Sequence, residues 1–287
     1  MPKKVTRINQ SAFNRYVFFH NKFLFFIAKY LTNFIEFKRV YIFNILTRYF
    51  YVGNFCFSYY GVKLFYPNFK DPTFRYCNGG AYGDKYSNFL KNLSERYYFI
   101  DVGANIGIYS LISSQNNNCE KVIAFEPNPK VFKLLKKNFI NIKNFELFNL
   151  AISNKNGSAC FFLDPKSSGS SKISKQNTNL SVQTVNNKFL KKKLQSSFKY
   201  NIKIDVEGHE LIVLNELLSS LSIKQINSIY IEIKNKETII KYYKKRLKNF
   251  KLVYFKAGNK RADCLFIKNK KNKLLKKFSN PRVNKKN

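Results

Sequence analysis

The feature that most constrains this chain is the segment Asp101-Val102-Gly103-Ala104-Asn105-Ile106-Gly107, set between an apolar run and a helix-like stretch over 108–115. A strand, a tight glycine turn and a helix in that order let backbone amides approach a ligand closely. The spacing separates two kinds of nucleotide site. A G-x-G-x-x-G fingerprint would need glycine at 105 and 108, where the chain has Asn105 and Ile108. The pyrophosphate grip of a dinucleotide site is therefore missing. The D-x-G-x-N-x-G pattern suits a ligand without phosphate, whose cationic amino group pairs with a carboxylate such as Asp101.

Around this turn, from about residue 97 to 268, strand-like and helix-like runs alternate. Residues 97–100, 122–125, 145–149, 202–204 and 229–233 are short and apolar, with β-branched or aromatic side chains, as buried parallel strands are. Residues 108–115, 130–140, 210–221 and 236–248 have helical character between them. The alternation predicts a doubly wound α/β sheet. Two last strands, 251–255 and 264–267, are joined through Gly258 and Asn259, which predicts a closing antiparallel hairpin.

Glu126 closes the second strand 19 positions after Gly107, near the ~20-residue offset at which an acid grips ribose hydroxyls in this topology. The distribution of acids adds to this. The chain has only 16 Asp and Glu residues, yet Asp101, Glu126, Asp205 and Glu232 each fall at the carboxyl end of an expected strand. That edge is where open α/β sheets bind ligands. The densest cluster is Lys203-Ile204-Asp205-Val206-Glu207-Gly208-His209-Glu210. If the backbone stays extended, Asp205, Glu207 and His209 point to one side, where a histidine among carboxylates would take a proton from a hydroxyl or thiol. The trio also has the chemistry of a hard-cation site, but no metal is assigned from it.

The net charge is +36, from 52 Lys and Arg. Such a charge draws polyanions. Only nine of the 52 are Arg, and Lys, Asn, Ile, Phe and Tyr are abundant, the set that an A/T-rich genome encodes. Scarcity of the residue best suited to bidentate phosphate contacts argues against a specific nucleic-acid reader. The five cysteines, Cys56, Cys77, Cys119, Cys160 and Cys264, are scattered and form no C-x-x-C pair, as expected of a reducing compartment. A cytoplasmic location is expected, with peripheral membrane contact as the extension of that reading.

Three regions are expected. Residues 1–60 form a basic, aromatic, helical extension, in which Lys22, Lys29, Glu36 and Lys38 interrupt any membrane-spanning run. It is either a cap packed on the domain or a helix lying on an anionic membrane surface. Residues 61–268 form the main domain, and 269–287 a basic mobile tail.

Taken together, these pieces resemble the FkbM-type methyltransferase family. The resemblance is carried by 99–107, Ala124-Phe125-Glu126-Pro127-Asn128-Pro129, Asn149-Leu150-Ala151-Ile152-Ser153, the Ser-rich 167–171 loop, 203–210 and Ile231-Glu232-Ile233, in the expected order. It implies a Rossmann-like class I methyltransferase sheet of seven strands, mostly parallel with a C-terminal antiparallel hairpin, and S-adenosylmethionine as methyl donor. The acceptor it implies is a hydroxyl of a glycan, sugar or small secondary metabolite. It places Asp101, Gly103, Asn105 and Gly107 at the methionine end, Glu126 at the ribose, and Asn149 or Ala151 beside the adenine. Asp205, Glu207 and His209 take the catalytic roles and Glu232 the substrate side. Two other readings compete: a non-catalytic polyanion- or membrane-surface-binding protein on the same scaffold, and an RNA methyltransferase. Against the latter, no Asn-Pro-Pro-Tyr-like segment follows the fourth strand; 205–208 stands there instead.

Overall fold

Seven segments rich in Ile, Val, Phe and Tyr form one large sheet: β1 (Tyr97–Val102), β2 (Cys119–Phe125), β3 (Phe145–Phe148), β4 (Lys199–Ile204), β5 (Ile226–Lys234), β6 (Phe250–Ala257) and β7 (Arg261–Lys268). Their order across the sheet is β6-β7-β5-β4-β1-β2-β3. Strands β1 to β5 run parallel, and β7 runs antiparallel to both β5 and β6. This is the expected Rossmann-like class I methyltransferase sheet with its closing hairpin. The computed structural model describes residues 10–33, 38–81, 84–174, 178, 180–195, 197–234, 236–258 and 261–269. Apart from Asn269, the tail expected over 269–287 lies outside the described residues, as does Asn259.

The chain divides into two compact units, one reaching Asn88 and including Lys166–Ser168, the other comprising Phe89–Pro165 and the residues from Gly169 onward. In the first unit, α1 (Gln10–Asn33) and α2 (Arg39–Phe50) are followed by a hairpin, Phe55–Phe57 against Lys63–Phe65, and by α3 (Pro72–Gly79). Helix α1 buries Val17, Asn21, Phe25, Ala28 and Thr32, a repeat of three and four residues that defines one helical face. Asn21 donates to the carbonyls of Val52 and Phe55 and accepts from Val52 N–H. Buried Asn78 donates to Asn44 Oδ1 (3.0 Å) and Thr47 Oγ1 (2.9 Å), tying α3 to α2. Helix α3, expected to belong to the main domain over 61–268, thus packs with the helices before it. Helix α3 starts with Asp71 accepting from Thr73 N–H and Pro72 in its first turn, and stops at Gly80, whose φ is +80°. Helix α4 (Asp84–Lys91) crosses the boundary between the units.

In the second unit, α5 (Ile108–Ser114), α6 (Pro129–Asn138), α8 (Glu210–Ser220) and α9 (Glu237–Arg246) connect the strands. Between β3 and β4 the chain makes a small sheet of Ala151–Ile152, Ser181–Val185, Gly157–Phe162 and Lys172–Ile173, then α7 (Asn187–Lys193). The core of the large sheet is aliphatic where α8 covers it: Ile202, Ile204, Val213, Leu214, Leu217, Ile229 and Ile231 are all buried. Adjacent β1 and β4 are where the strand order reverses. Their carboxyl ends therefore flank the crevice in which such sheets hold ligands.

Candidate functional site

At the end of β1 the chain turns through three residues of positive φ: Gly103 (+73°), Asn105 (+52°) and Gly107 (+88°). The turn is fastened from below, with Gly103 and Ala104 donating N–H to the carbonyl of Phe125 at 2.9 and 3.0 Å. Asn138 Nδ2 holds the carbonyl of Ile106 at 2.7 Å. Glu126 lies at the adjoining end of β2. Its Oε2 accepts from Asn105 N–H and its Oε1 from Asn128 N–H, both at 2.8 Å. Each carboxylate oxygen retains a second acceptor site, which is what a vicinal diol requires. Burial pushes the Glu126 carboxyl up to about 7, against the pull of its two backbone donors. Asn149 donates to the carbonyls of Glu126 (2.8 Å) and Pro127 (2.9 Å), so it shapes the loop that carries Glu126. The Ala151 side chain packs with Phe161 and Val182 in the core of the small sheet.

The structure gives Asp101 a partner that sequence reasoning did not. Its side chain is fully buried, accepts from Ser110 Oγ at 2.7 Å and lies 3.2 Å from Lys203 Nζ. The reason is register: Lys203 of β4 sits directly opposite Asp101 of β1, and paired residues of neighbouring strands project to the same face. Asp101 therefore has a cation within the chain. Lys203 also donates to the carbonyl of Gly103 at 2.7 Å and lies 3.5 Å from Asp205 Oδ2. Burial lowers its pKa, but Asp101 and Asp205 outweigh that and hold the ammonium charged. The signal for Lys203 was a lysine between Ile202 and Ile204, lost among so many others.

Beyond β4 the backbone does not stay extended. Glu207 has φ +57° and Gly208 +111°, so the chain swings round between Asp205 and His209. Asp205, Glu207 and the β5 residue Glu232 still converge, each with a carboxylate oxygen within 4.8 Å of the others. His209 does not join them. It precedes α8, and its Nε2 lies 3.1 Å from Ser153 Oγ. The expectation that Asp205, Glu207 and His209 share one side holds for the first two only. Burial keeps the His209 imidazole below its usual pKa.

The acids share a cation that the sequence did not mark. Arg261, at the start of β7, meets Glu207 (2.6 Å), Glu232 (2.5 Å) and, more loosely, Glu210 (3.5 Å). Asp263 stands opposite Glu232 in the β5/β7 pairing. Asp205, Glu207 and Glu232 have the oxygen chemistry of a hard-cation site, but the guanidinium already lies on two of them. Burial, and next the Asp205 charge, push the Glu207 carboxyl up to about 7 despite Arg261, and the same causes raise Glu232.

A carboxyl raised above its unfolded pKa contributes stability below the unfolded value and loses it as pH rises through the folded one. With Glu126 and Glu207 at about 7 against an ordinary 4.5, the melting temperature is expected to fall between about pH 5 and pH 8. Thermal melts across that range should show it, with a shallower slope in Glu207→Gln. A melting temperature that rises over the interval would contradict these environments.

The Methyltransferase FkbM domain family matches residues 101–250, more than half of the chain. The chain belongs to that family. Hexuronic acid methyltransferase AglP of Haloferax volcanii is 31% identical over 146 residues, 50% of this chain and 59% of that protein. Methyltransferase sdnD of Sordaria araneosa is 26% identical over 121 residues, 41% of this chain and 47% of that one. The chain thus spans about half the length of the curated relatives it matches. Among solved structures, M. capricolum TrmK in complex with S-adenosyl-homocysteine superposes with a TM-score of 0.40 at 13% identity, covering 66% of this chain and 69% of that one.

The cofactor of the FkbM domain is S-adenosylmethionine, and the residues present fit it. The domain offers a glycine turn without the pyrophosphate fingerprint and a Glu126 whose two carboxylate oxygens each keep an acceptor site beside that turn. The turn over 103–107 and Glu126 would hold it. Asp101 and Lys203 would act behind that turn, fixing its shape.

Proposed function

We propose that this chain transfers a methyl group from S-adenosylmethionine to a hydroxyl of a sugar or glycan, with Asp205 as the proton acceptor. The observation that carries this reading is the carboxylate group at the carboxyl edge of β4 and β5, in which Arg261 engages Glu207 and Glu232 but pairs with Asp205 nowhere among the described residues. When bound, S-adenosylmethionine supplies an electrophilic methyl on a good leaving group. A neutral hydroxyl is a poor nucleophile and must lose its proton as the new C–O bond forms and the C–S bond breaks. Asp205 is half-buried and follows β4 directly, with its backbone N–H on the Val102 carbonyl (3.1 Å). It therefore sits beside the cofactor turn. Lys203 Nζ lies 3.5 Å from its Oδ2.

A saccharide is the favoured acceptor class because AglP is a hexuronic acid methyltransferase. His209, tied to Ser153, is assigned no proton transfer.

Asp205→Asn should lower kcat by about 10²–10⁴-fold, the usual worth of a general base, while calorimetry finds S-adenosylmethionine affinity unchanged. Labelled methyl transfer to a uronic-acid-containing oligosaccharide provides the assay, and alkali distinguishes an ether product, which persists, from a labile ester. Undiminished turnover in Asp205→Asn, or an ester product, would refute the assignment.

A further inference from the structure

Helix α1 has two apolar faces, and only one of them is buried. Val17, Phe25 and Ala28 point into the first unit. Phe19, Phe23 and Phe26 follow one another at four and three residues on the opposite side, and are 65%, 66% and 55% exposed. An ordinary amphipathic helix carries charge on that side; this one carries phenyl rings, with Tyr16 continuing the row. Arg15, Lys22 and Lys29 fall along the flank between the two faces. Lys22 Nζ lies 5.8 Å from the Phe18 ring, and Lys29 Nζ lies 5.5 and 5.2 Å from the Phe25 and Tyr59 rings. Their stems thus lie along aromatic surface.

We propose that this outer face of α1 docks on an anionic lipid bilayer, lying in the plane of the interface with Phe19, Phe23 and Phe26 below the headgroups. Three observations select that partner. The charge is one-sided: over residues 1–70 the sole acid is Glu36, so the flanking lysines and arginines complement anionic headgroups. A second copy of this unit would bring the same uncompensated positive charge against itself. The face is also a row of exposed rings along one helix, whereas single-stranded nucleic acid is bound in basic grooves with aromatic platforms. Finally, no described helix is long and apolar enough to cross a membrane, so the geometry is that of a helix on the surface. The inference is independent of the methyl acceptor.

The chain contains no tryptophan, so Phe23→Trp gives a single fluorescent reporter on this face with little change in shape. With the whole 287-residue chain, vesicles of phosphatidylcholine and phosphatidylserine should shift its emission to the blue, and phosphatidylcholine alone should do so far less. Raised salt should weaken the effect. Co-sedimentation supplies the second readout. Replacing Phe19, Phe23 and Phe26 together with serine leaves the charge unaltered and should weaken vesicle binding about tenfold or more, since even one buried phenyl is worth that factor. Lys22→Glu should weaken it further. Emission that does not move with anionic vesicles overturns the proposal, as does full vesicle binding by the serine variant with an unchanged melting curve. If the serine changes abolish self-association or binding of an RNA oligonucleotide and leave vesicle binding intact, the face belongs to that partner and the proposal fails.

Discussion

Gly103→Ala is expected to abolish cofactor binding and to destabilise the fold. An added Cβ at Gly103 would stand 1.8 Å from the carbonyl oxygen of Asp205 and 2.9 Å from its carbonyl carbon. Both are backbone atoms, so no rotamer change relieves the clash, and φ of +73° is itself unfavourable for alanine. The turn and the 205–208 loop would have to separate. That movement breaks the contact between the two segments assigned to cofactor and acceptor. A stability loss above about 3 kcal/mol in denaturant unfolding is expected, with calorimetric binding of S-adenosylmethionine lost. Gly208 provides the control: its φ is +111°, but an added Cβ meets nothing within 4 Å. Gly208→Ala should therefore cost backbone strain alone, about 1–3 kcal/mol, and keep cofactor binding. Equal effects at the two glycines would disprove the close approach.

Lys203→Met should be nearly as damaging, for an electrostatic reason. It strands the fully buried Asp101 without a counter-charge and removes the donor to the Gly103 carbonyl. Breaking one partner of a buried pair costs about 3–5 kcal/mol, and the turn should bind S-adenosylmethionine more weakly because its shape is no longer held. The diagnostic measurement is the double variant Lys203→Met/Asp101→Asn. If the loss is an unpaired charge, the second change restores part of the stability, and a double-mutant cycle reports strong coupling. Additive losses would mean that the lysine acts through packing alone.

Much of the large sheet was legible in the sequence because buried parallel strands are written in unbroken Ile, Val, Phe and Tyr, with acids marking their carboxyl ends. The small sheet between β3 and β4 was not. Two of its strands, Ala151–Ile152 and Lys172–Ile173, are two residues long, too short to show a period. The acids of the site stood out because acids are rare in this chain. Lys203 and Arg261 did not, because the same composition hides two functional cations among 52 basic residues. His209 was placed with Asp205 by assuming an extended backbone, and the left-handed turn at Glu207 sends it elsewhere. Residues 1–60 were expected to be helical and aromatic, but only the packing distinguishes rings turned inward from those turned outward.

Arg261 also imposes a sequence of events on synthesis. Glu207, Glu210 and Glu232 are laid down before it, on the segment joining β4 to α8, at the first residue of α8 and on β5, so during elongation these carboxylates exist for a time without the guanidinium that later bridges them. The edge of β5 must also wait for β7. The nascent domain can assemble its cofactor turn from strands already made, but its acidic edge is completed by one of the last strands to emerge. Ribosome-stalled chains ending before residue 261 would therefore carry a half-built centre, competent in its first strands and electrostatically open in its last.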